Sequence, residues 1–427
     1  MSAEAASGRR VSVAFRTLGC KVNRVESEAI AAELIGKGAV VADEDRASVV
    51  VINTCTVTGE ADTKARKAVR QALRAPGNPV VVVTGCLAAL DADGLRALGR
   101  RVVVESDKAL VAQRVGEVLD LACGTPALQA PVSGKRARAG LRTRAMLKVE
   151  DGCDNFCTYC IVPYARGVPR AVPLERAVAD ARLLVEAGVN EIVLTGINIG
   201  RYADGDADLA ALIAAIAATG IARLRLSSIE PPDLTPRLLS VLAETPAVCE
   251  HLHVPLQSGS DAVLRAMART YSVEGFRRII ADVRSAIPGV AITSDLIAGF
   301  PAETHIDHEA TVALVEDVGF AKLHVFRYSE RAGTPAAQMA QVAPELRADR
   351  ASELRSVGDR LRYRYEEQRI GHEAEVLVEQ TDERGGLGTS RDYLRVQVAT
   401  PAGGVGDIVQ VILARGSAGQ VIGEPMI

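Results

Sequence analysis

The amino-acid sequence predicts an α/β protein with three successive folded parts, and three observations lead to that prediction. The chain has 427 residues, which is too long for one typical domain. Val- and Ile-rich runs alternate with helical stretches through most of it, which is typical of parallel sheets. Near the C-terminus the helical stretches stop, and short alternating runs separated by Gly-rich turns indicate a small β-barrel. We therefore expect an N-terminal parallel α/β domain, a central partial (β/α)6 barrel and a small C-terminal OB-like β-barrel.

Composition excludes several classes of protein. The net charge of -3 gives no overall case for nucleic-acid binding, and the absence of Trp argues against broad base-stacking surfaces. Any RNA site must therefore be a local basic patch. The polar N-terminus is not expected to act as a secretion signal, and no apolar run in the sequence is long enough to be expected to span a membrane. Eight cysteines in such a chain indicate a reducing, cytoplasmic setting and metal ligation instead of disulfides.

The N-terminal domain is expected over residues 9–121, where three β-like runs are each followed closely by a cysteine. The runs are Val11–Leu18, Ser48–Ile52 and Pro79–Val83, and the cysteines are Cys20, Cys55 and Cys86. Carboxyl ends of parallel strands meet at one edge of a sheet, which is where ligands bind. Thiolates hold iron–sulfur clusters, so these three are candidate ligands of a cluster with one iron left open. The alternative is three buried, inert cysteines.

One basic stretch lies within this domain and a second follows it. Lys67, Arg70 and Arg74 share one face of the helical stretch after Cys55, which is either a solvated surface or a phosphate-contacting one. A linker is expected over residues 122–143, rich in Pro, Gly and Ala and with its own run of basic residues. Two interpretations of this segment are equally well supported: a solvated linker without a binding role, and an RNA contact.

The central domain is expected over residues 144–369. Six β-like runs recur there with helical stretches between them: Arg144–Val149, Glu191–Leu194, Arg223–Ser227, His251–Pro255, Ala291–Ile297 and Leu323–Arg327. Six units are too few for a closed eight-stranded barrel, and in barrels of this kind the chemistry lies at the carboxyl ends of the strands.

A cysteine triplet follows the first of these runs. Cys153, Cys157 and Cys160 fall within eight residues, and no fourth cysteine is near them. A four-iron cluster held by three thiolates keeps one coordination position open, as catalytic metal sites do. A structural zinc site is the alternative, but such sites prefer paired Cys-x2-Cys or Cys/His sets.

This triplet, with Tyr159 before its third cysteine, resembles that of the radical S-adenosylmethionine (SAM) enzymes. The resemblance implies a [4Fe-4S] cluster whose open iron binds SAM, on a six-stranded partial barrel. It also places SAM contacts at the other strand ends: Thr195, Gly196, Asn198, Ser228, Glu230, Gln257, Ile297 and Gly299. Asp295 and Ala302 stand where related sequences often carry Gly, so neither is assigned an adenine contact.

The motifs around the N-terminal cysteines extend the resemblance to the methylthiotransferases. Leu18-Gly-Cys20-Lys-Val-Asn23 and Asn53-Thr-Cys55-Thr-Val-Thr58 carry it. It implies two [4Fe-4S] clusters and SAM as cofactors, with one cluster generating a deoxyadenosyl radical and the other presenting sulfur. The flanks are most similar to those of family members that modify C2 of N6-threonylcarbamoyladenosine at position 37 of tRNA.

Three alternatives to that function stay open. The substrate could be isopentenyl-adenosine in tRNA, or a ribosomal protein. From a different class, the chain could be a non-catalytic iron–sulfur protein that binds RNA. The expected partners are tRNA and a reduced flavodoxin or ferredoxin type electron donor, and the chain is expected to be a monomer.

The C-terminal part begins after a long charged helical stretch, Pro344–Arg369, and is expected over residues 370–427. Its β-like runs are Glu373–Val378, Tyr393–Val398 and Ile408–Leu413. It resembles the RNA-binding TRAM domain, yet acidic residues outnumber basic ones in it, which disfavours phosphate binding. An RNA-binding face would have to use the few arginines present, namely Arg384, Arg391 and Arg395.

Overall fold

A computed structural model describes residues 12–118, 143–383, 385–399 and 403–426. Contacts divide the chain into two units, one formed by the N-terminal part with residues 160–167, and the other by residues 133–159 with all that follows 167. Residues 122–142 of the expected linker, and Cys123 and Arg384, lie outside the described residues.

The first unit contains a five-stranded parallel sheet in the order β2-β1-β3-β4-β5. Its strands are β1 (Ser12–Thr17), β2 (Val40–Val41), β3 (Val49–Thr54), β4 (Val80–Gly85) and β5 (Val102–Val104). Every residue of β3 is buried, because the sheet is covered on both faces.

Five helices follow these strands in alternation: α1 (Lys21–Gly36), α2 (Gly59–Leu73), α3 (Cys86–Leu90), α4 (Ala92–Arg96) and α5 (Val111–Val118). One face of the sheet packs on Ala65, Val69 and Ala72 of α2. Apolar side chains of α1 and α5 belong to the core on the opposite face. Two-sided burial explains why the strands read as unbroken Val/Ile runs.

A short segment beyond the central cysteines also belongs to the first unit. It spans residues 160–167 and contains the helix α6 (Val162–Arg166). Pro163 lies in its first turn, where proline is favoured, and Gly167 ends it with a φ of 74°.

The second unit begins with ten strands: β6 (Arg144–Lys148), β7 (Glu150–Asp151), β8 (Arg170–Ala171), β9 (Glu191–Thr195), β10 (Ala203–Asp204), β11 (Ala207–Asp208), β12 (Arg223–Leu226), β13 (His251–His253), β14 (Ala291–Ala298) and β15 (Lys322–Arg327). Six of them are parallel neighbours in the order β6-β9-β12-β13-β14-β15. Single bridges, Leu224 to Val248 and Ser228 to His253, join the two three-stranded halves. This is the predicted six-stranded partial barrel.

Seven helices accompany these strands: α7 (Leu174–Glu186), α8 (Leu209–Ala217), α9 (Pro236–Glu244), α10 (Asp261–Ala266), α11 (Val273–Ala286), α12 (His305–Val318) and α13 (Pro344–Arg369). Their apolar faces share one core with the alternate strand residues Leu224, Leu226, Leu252 and Ile292. The other strand residues therefore point to the inner side of the partial barrel, away from the helices. Short 3-10 turns occur at Glu44–Arg46, Ile199–Arg201, Pro231–Asp233 and Pro335–Gln338.

The C-terminal residues form a closed five-stranded barrel in the order β16-β17-β18-β20-β19. Its strands are β16 (Glu373–Asp382), β17 (Gly385–Ser390), β18 (Arg395–Val398), β19 (Ile408–Arg415) and β20 (Val421–Pro425). Sequence analysis missed β20, and it missed β17 because the Gly-rich sequence of β17 is typical of a turn.

Inner-side residues of the partial barrel meet this C-terminal barrel in a buried group of charges, which we call the floor cluster: Glu191, Arg223, Arg225 and Tyr393. Arg223 and Arg225 both pair with Glu191 at 2.8 Å. Arg225 also donates to the carbonyl oxygens of Ser390 and Arg391, and its guanidinium lies over the Tyr393 ring. The C-terminal barrel therefore caps the amino ends of these strands.

The predicted fold class is confirmed in all three parts: a parallel N-terminal sheet, a six-stranded partial barrel and a closed C-terminal barrel. Among the described residues, no helix is both long enough and apolar enough to cross a membrane.

Candidate active site

Three cysteines lie at neighbouring strand ends in the first unit, and we call them the thiol edge: Cys20, Cys55 and Cys86. They follow β1, β3 and β4, which are adjacent in the sheet. Cys55 and Cys86 are 7% and 6% exposed, whereas Cys20 is exposed. The thiol groups are free, and the three strands place together residues that are far apart in the sequence.

Glycines allow the thiol edge to be this compact. Gly19 has a φ of 98°, and a Cβ added to it would collide with Cβ of Cys55. Gly85 has a φ of 94°, and a Cβ there would collide with the backbone carbonyl oxygen of Thr54. Only glycine tolerates both the left-handed backbone and the close approach.

Two asparagines fix the loops that carry the cysteines. The Asn23 amide donates to the carbonyl oxygens of Leu18 and Thr54, each at 2.9 Å. The Asn53 amide donates at 2.8 Å to the carbonyl oxygen of Asn23. These buried bonds join the turns after β1 and β3, and they explain why Asn occurs in both cysteine motifs.

Arg166, on α6, lies against the thiol edge, and sequence analysis missed this role. Its side chain is 2% exposed, and its Nε donates to Sγ of Cys86 at 3.2 Å. The other guanidinium nitrogens donate to Glu26 Oε1 at 2.9 Å and to Asn23 Oδ1 at 2.7 Å. Lys108 pairs with the same Glu26 oxygen at 2.6 Å.

Burial raises the pKa of the Cys55 thiol, and the neighbouring Cys86 and Cys20 add to the rise. Burial also raises the pKa of Cys86, while Arg166 and Lys108 oppose that rise. Without a metal these thiols therefore stay protonated at neutral pH, and metal binding must release their protons.

The donor set fits an iron–sulfur cluster better than a single metal ion. In the described part of the chain, no three His, Cys, Asp or Glu side chains converge closely enough to hold one metal ion. A cubane cluster is larger than one ion, so its cysteines ligate separate corners and need not converge. Three free thiols and a cation beside them suit such a group.

The second unit carries the central loop, which we define as residues 153–159, and Cys160 opens the segment assigned to the first unit. The loop is anchored by Thr158, which donates two hydrogen bonds to carbonyl oxygens at the C-terminal end of α10. Its N–H donates to the Met267 carbonyl at 3.1 Å, and its Oγ1 hydroxyl donates to the Ala266 carbonyl at 2.7 Å. Tyr159 packs edge-on against Phe300. Burial raises the pKa of the Cys153 thiol, and nearby Cys157 adds to the rise.

A second buried arginine contacts this loop. Nη1 of Arg269 donates to Sγ of Cys157 at 3.1 Å, and its side chain is 3% exposed. The same guanidinium pairs with Glu230 and donates to the Tyr271 hydroxyl at 3.1 Å. Cys157, Glu230 and Arg269 line one pocket together with Asp233, so a ligand beside Cys157 would meet both charges.

The turn after β9 depends on a buried carboxylate that sequence analysis did not single out. Glu150 is fully buried, and its Oε2 accepts the N–H groups of Ile197 at 2.9 Å and Asn198 at 2.7 Å. Gly196 lies so close to Glu150 that a Cβ would touch it. Both polar atoms of the Asn198 side chain are buried and without a hydrogen-bond partner. An unsatisfied buried amide indicates a missing ligand or water.

The remaining candidate SAM contacts also lie at strand ends. Thr195 ends β9, Ser228 follows β12 and is exposed, and Gln257 follows β13 with a φ of 67°. The N–H of Ile297 donates to the Gln257 carbonyl at 3.0 Å, and that of Gly299 to Glu303 at 2.9 Å. All eight residues thus fall at the carboxyl ends of four strands of the partial barrel, while their contact with SAM stays a prediction.

Two of the basic residues that the sequence offered for RNA binding, Arg391 and Arg395, have carboxylate partners. Arg391 pairs with Glu250 at 2.8 Å and donates to the Val248 carbonyl oxygen, so it joins the C-terminal barrel to the partial barrel. Arg395 pairs with Glu379. Lys67, Arg70 and Arg74 are exposed on α2, which leaves both interpretations of that face open.

Two family models match the chain. The radical SAM superfamily matches residues 147–315, and a family described as uncharacterized protein family UPF0004 matches residues 12–104.

Relatives match over almost the whole chain. A threonylcarbamoyladenosine tRNA methylthiotransferase MtaB of Bacillus subtilis is 37% identical, covering 94% of this chain and 93% of the relative. The protein of that name from Thermotoga maritima is also 37% identical, with 90% of both chains covered. A tRNA-2-methylthio-N(6)-dimethylallyladenosine synthase of Cereibacter sphaeroides is 34% identical over 96% of this chain and 97% of its own.

Solved structures agree in fold. The radical SAM methyltransferase TsrM of Kitasatospora setae superposes with a TM-score of 0.55 at 13% identity, covering 77% of both chains. The cobalamin-dependent radical SAM enzyme OxsB superposes with a TM-score of 0.51 at 10% identity, covering 82% of this chain and 56% of that one. The superfamily match implies SAM and a [4Fe-4S] cluster as cofactors. From the matches along its length, the chain belongs to the radical SAM methylthiotransferases of tRNA.

Proposed function

We propose that this chain adds a methylthio group to C2 of N6-threonylcarbamoyladenosine at position 37 of tRNA. The observation that carries this proposal is the 37% identity, over at least 90% of both chains, with two relatives named threonylcarbamoyladenosine tRNA methylthiotransferase. It agrees with the similarity of the cysteine flanks to those members of the family.

The two groups of cysteines support a division of labour. Cys153, Cys157 and Cys160 are proposed to hold a [4Fe-4S] cluster with an open iron for SAM. Cys20, Cys55 and Cys86 are proposed to hold a second [4Fe-4S] cluster, and the free thiols at adjacent strand ends support this. When bound, the clusters supply one-electron cleavage of SAM and a place for sulfur.

The side chains at the strand ends have distinct parts in this proposal. The unpartnered Asn198 amide can donate to and accept from SAM, and Glu150 keeps the turn around it in place. Glu230 accepts from Arg269 and retains free acceptor capacity for a ribose hydroxyl or the SAM amino group. We propose the same binding role for Thr195, Gly196, Ser228, Gln257, Ile297 and Gly299.

A second substrate has support of its own. The Cereibacter sphaeroides synthase, named for a dimethylallyl-adenosine product, covers as much of this chain at 34% identity. The difference of three percentage points does not separate two substrates of one family, so the test must compare both nucleosides.

Mass spectrometry of tRNA nucleosides from cells lacking the gene tests the proposal. The methylthio form of threonylcarbamoyladenosine should disappear, its unmodified form should accumulate, and the native gene should restore it. Complementation with Cys55→Ala, which is buried at the thiol edge, should fail. Loss of the methylthio form of the dimethylallyl nucleoside would support the second substrate. An unchanged nucleoside profile would indicate a protein substrate or a non-catalytic protein.

We further propose a flavodoxin or ferredoxin type electron donor, a monomeric state and action in the cytoplasm, where tRNA is modified. We propose that the C-terminal barrel binds RNA as a TRAM-like domain. The binding surface would exclude Arg391, because that side chain pairs with Glu250.

A further inference from the structure

We propose that Arg166 is a positioning residue that raises the reduction potential of the cluster held at the thiol edge, through its hydrogen bond to Cys86. This rests on the second cluster of the proposed function. The three observations behind it are the geometry of the guanidinium, the charge around it and its place in the chain.

The geometry is that of a fixed donor. Each nitrogen of the guanidinium has a partner: Nε donates to Sγ of Cys86, Nη1 to Glu26 and Nη2 to Asn23. Asn23 is itself bonded to the turns that precede Cys20 and Cys55. The arginine is therefore held in one orientation, and its N–H points at a predicted ligand sulfur.

Glu26 has two cationic partners. Arg166 and Lys108 both pair with the Glu26 carboxylate, so these three side chains together carry one net positive charge. Glu26 and Arg166 are almost completely buried, at 6% and 2% side-chain exposure, and water screens them little. The guanidinium of Arg166 also stays charged, because arginine does not lose its proton in proteins.

The positive charge of a buried guanidinium and its N–H bond to a ligand sulfur act in the same direction. Reduction adds one negative charge to an iron–sulfur cluster, and both features stabilise that charge. Hydrogen bonds to the sulfurs and net charge are among the main determinants of cluster potential. Removing Arg166 should therefore make the cluster harder to reduce.

The place of Arg166 in the chain gives this contact a further meaning. It lies six positions after Cys160, and α6 carries it directly from the third cysteine of the triplet to the thiol edge. The same short segment of the first unit thus contains a predicted ligand of one cluster and a donor to a ligand of the other.

The experiment uses the full-length chain carrying Cys157→Ala, reconstituted anaerobically so that only the thiol-edge cluster remains. Redox titration followed by EPR is done with Arg166→Met, Arg166→Lys and Glu26→Gln added. Arg166→Met should make reduction at least about tenfold less favourable, which is 59 mV for one electron. Glu26→Gln, which removes the neutralising carboxylate, should shift the potential upwards, and Arg166→Lys should lie between Arg166→Met and the parent.

Arg101→Met is the matched control, because Arg101 in the same unit donates to the carbonyl oxygens of Leu73 and Pro79 and to no sulfur among the described residues. It should leave the potential unchanged. A parent protein that holds no iron would overturn the proposed function itself. Normal iron content with an unchanged potential in Arg166→Met would overturn the inference alone. If Arg166→Met loses its iron, Glu26→Gln decides, and no upward shift would overturn the inference.

Discussion

The two groups of cysteines, each a predicted ligand set for an open-iron cluster, are assembled in different ways. The thiol edge is assembled from three strand ends, with Cys55 and Cys86 buried by the sheet and its helices. The central triplet comes from one stretch of eight residues, of which Cys153 and Cys160 are partly exposed. Each group has a buried arginine that donates to one sulfur, Arg166 to Cys86 and Arg269 to Cys157.

The difference between the two arginines is the more instructive feature. Arg269 has the Glu230 carboxylate as its ion-pair partner, whereas Arg166 shares Glu26 with Lys108. The carboxylate of Glu230 and that of Asp154 also raise the pKa of Cys153, after the larger effect of burial. The two arginines thus differ in these ion pairs: one carboxylate for Arg269, and one carboxylate shared with a lysine for Arg166.

The largest effect is expected from removing one cysteine of each group. Cys157→Ala should reduce iron from about eight to about four per chain and abolish SAM cleavage. Cys55→Ala should lose the same amount of iron and keep SAM cleavage, yet stop methylthiolation of tRNA. Iron analysis and chromatography of deoxyadenosine measure both. Persistent cleavage in Cys157→Ala would contradict the division of labour.

A smaller effect tests whether the thiol edge depends on the rigid sheet. Gly85→Ala should destabilise the first unit by roughly 3 kcal/mol and weaken its cluster, because the new Cβ meets the Thr54 carbonyl oxygen. Gly38→Ala is the control, since its φ of 92° is similar but no atom lies within 4 Å of the added Cβ. It should cost only about 1 kcal/mol. Thermal unfolding of the two variants measures these losses of stability. Equal losses in Gly85→Ala and Gly38→Ala would show that the close approach at Gly85 does not matter for stability.

The smallest effect concerns the turn beside the central loop. Burial raises the pKa of Glu150 from 4.5 to about 7, although two backbone N–H groups oppose the rise. The folded state therefore favours the protonated carboxyl, and that stability is present below pH 4.5 and is lost as pH rises through 7. The loss is at most roughly 3 kcal/mol.

Glu150→Gln should remove this pH dependence, because glutamine does not titrate. The melting temperature of the native protein should fall between pH 5 and pH 8 relative to that of the variant. Parallel curves for the two proteins would show that Glu150 does not keep its proton in the folded state.

Sequence alone was sufficient for features that repeat along the chain. Alternating strands and helices predicted the six strands of the partial barrel and three strands of the N-terminal sheet, but not the short β2 and β5. Gly-Cys or Asn-Thr-Cys after a strand predicted which residues meet at the thiol edge. The range Pro344–Arg369 predicted for the long helix matches α13 residue for residue.

The sequence did not predict contacts between a charged side chain and a partner far away along the chain. Cys86 lies 80 positions before Arg166, and Cys157 lies 112 before Arg269. Neither pair has a spacing or period that marks it. The same limit applies to Arg391, whose charge suggested phosphate while its partner is Glu250. Glu150 was missed because an acidic residue beside a strand is ordinarily solvated.

The floor cluster affects how truncations of this protein should be read. Arg223 is fully buried, Arg225 is 2% exposed, and both rely for cover on the segment around Tyr393. A chain ending at Arg369 would expose these two guanidinium groups and the Glu191 carboxylate to solvent. Loss of activity in such a deletion would then reflect damage to the partial barrel. Point substitutions on the outer surface of the C-terminal barrel are a better test of whether this barrel binds RNA.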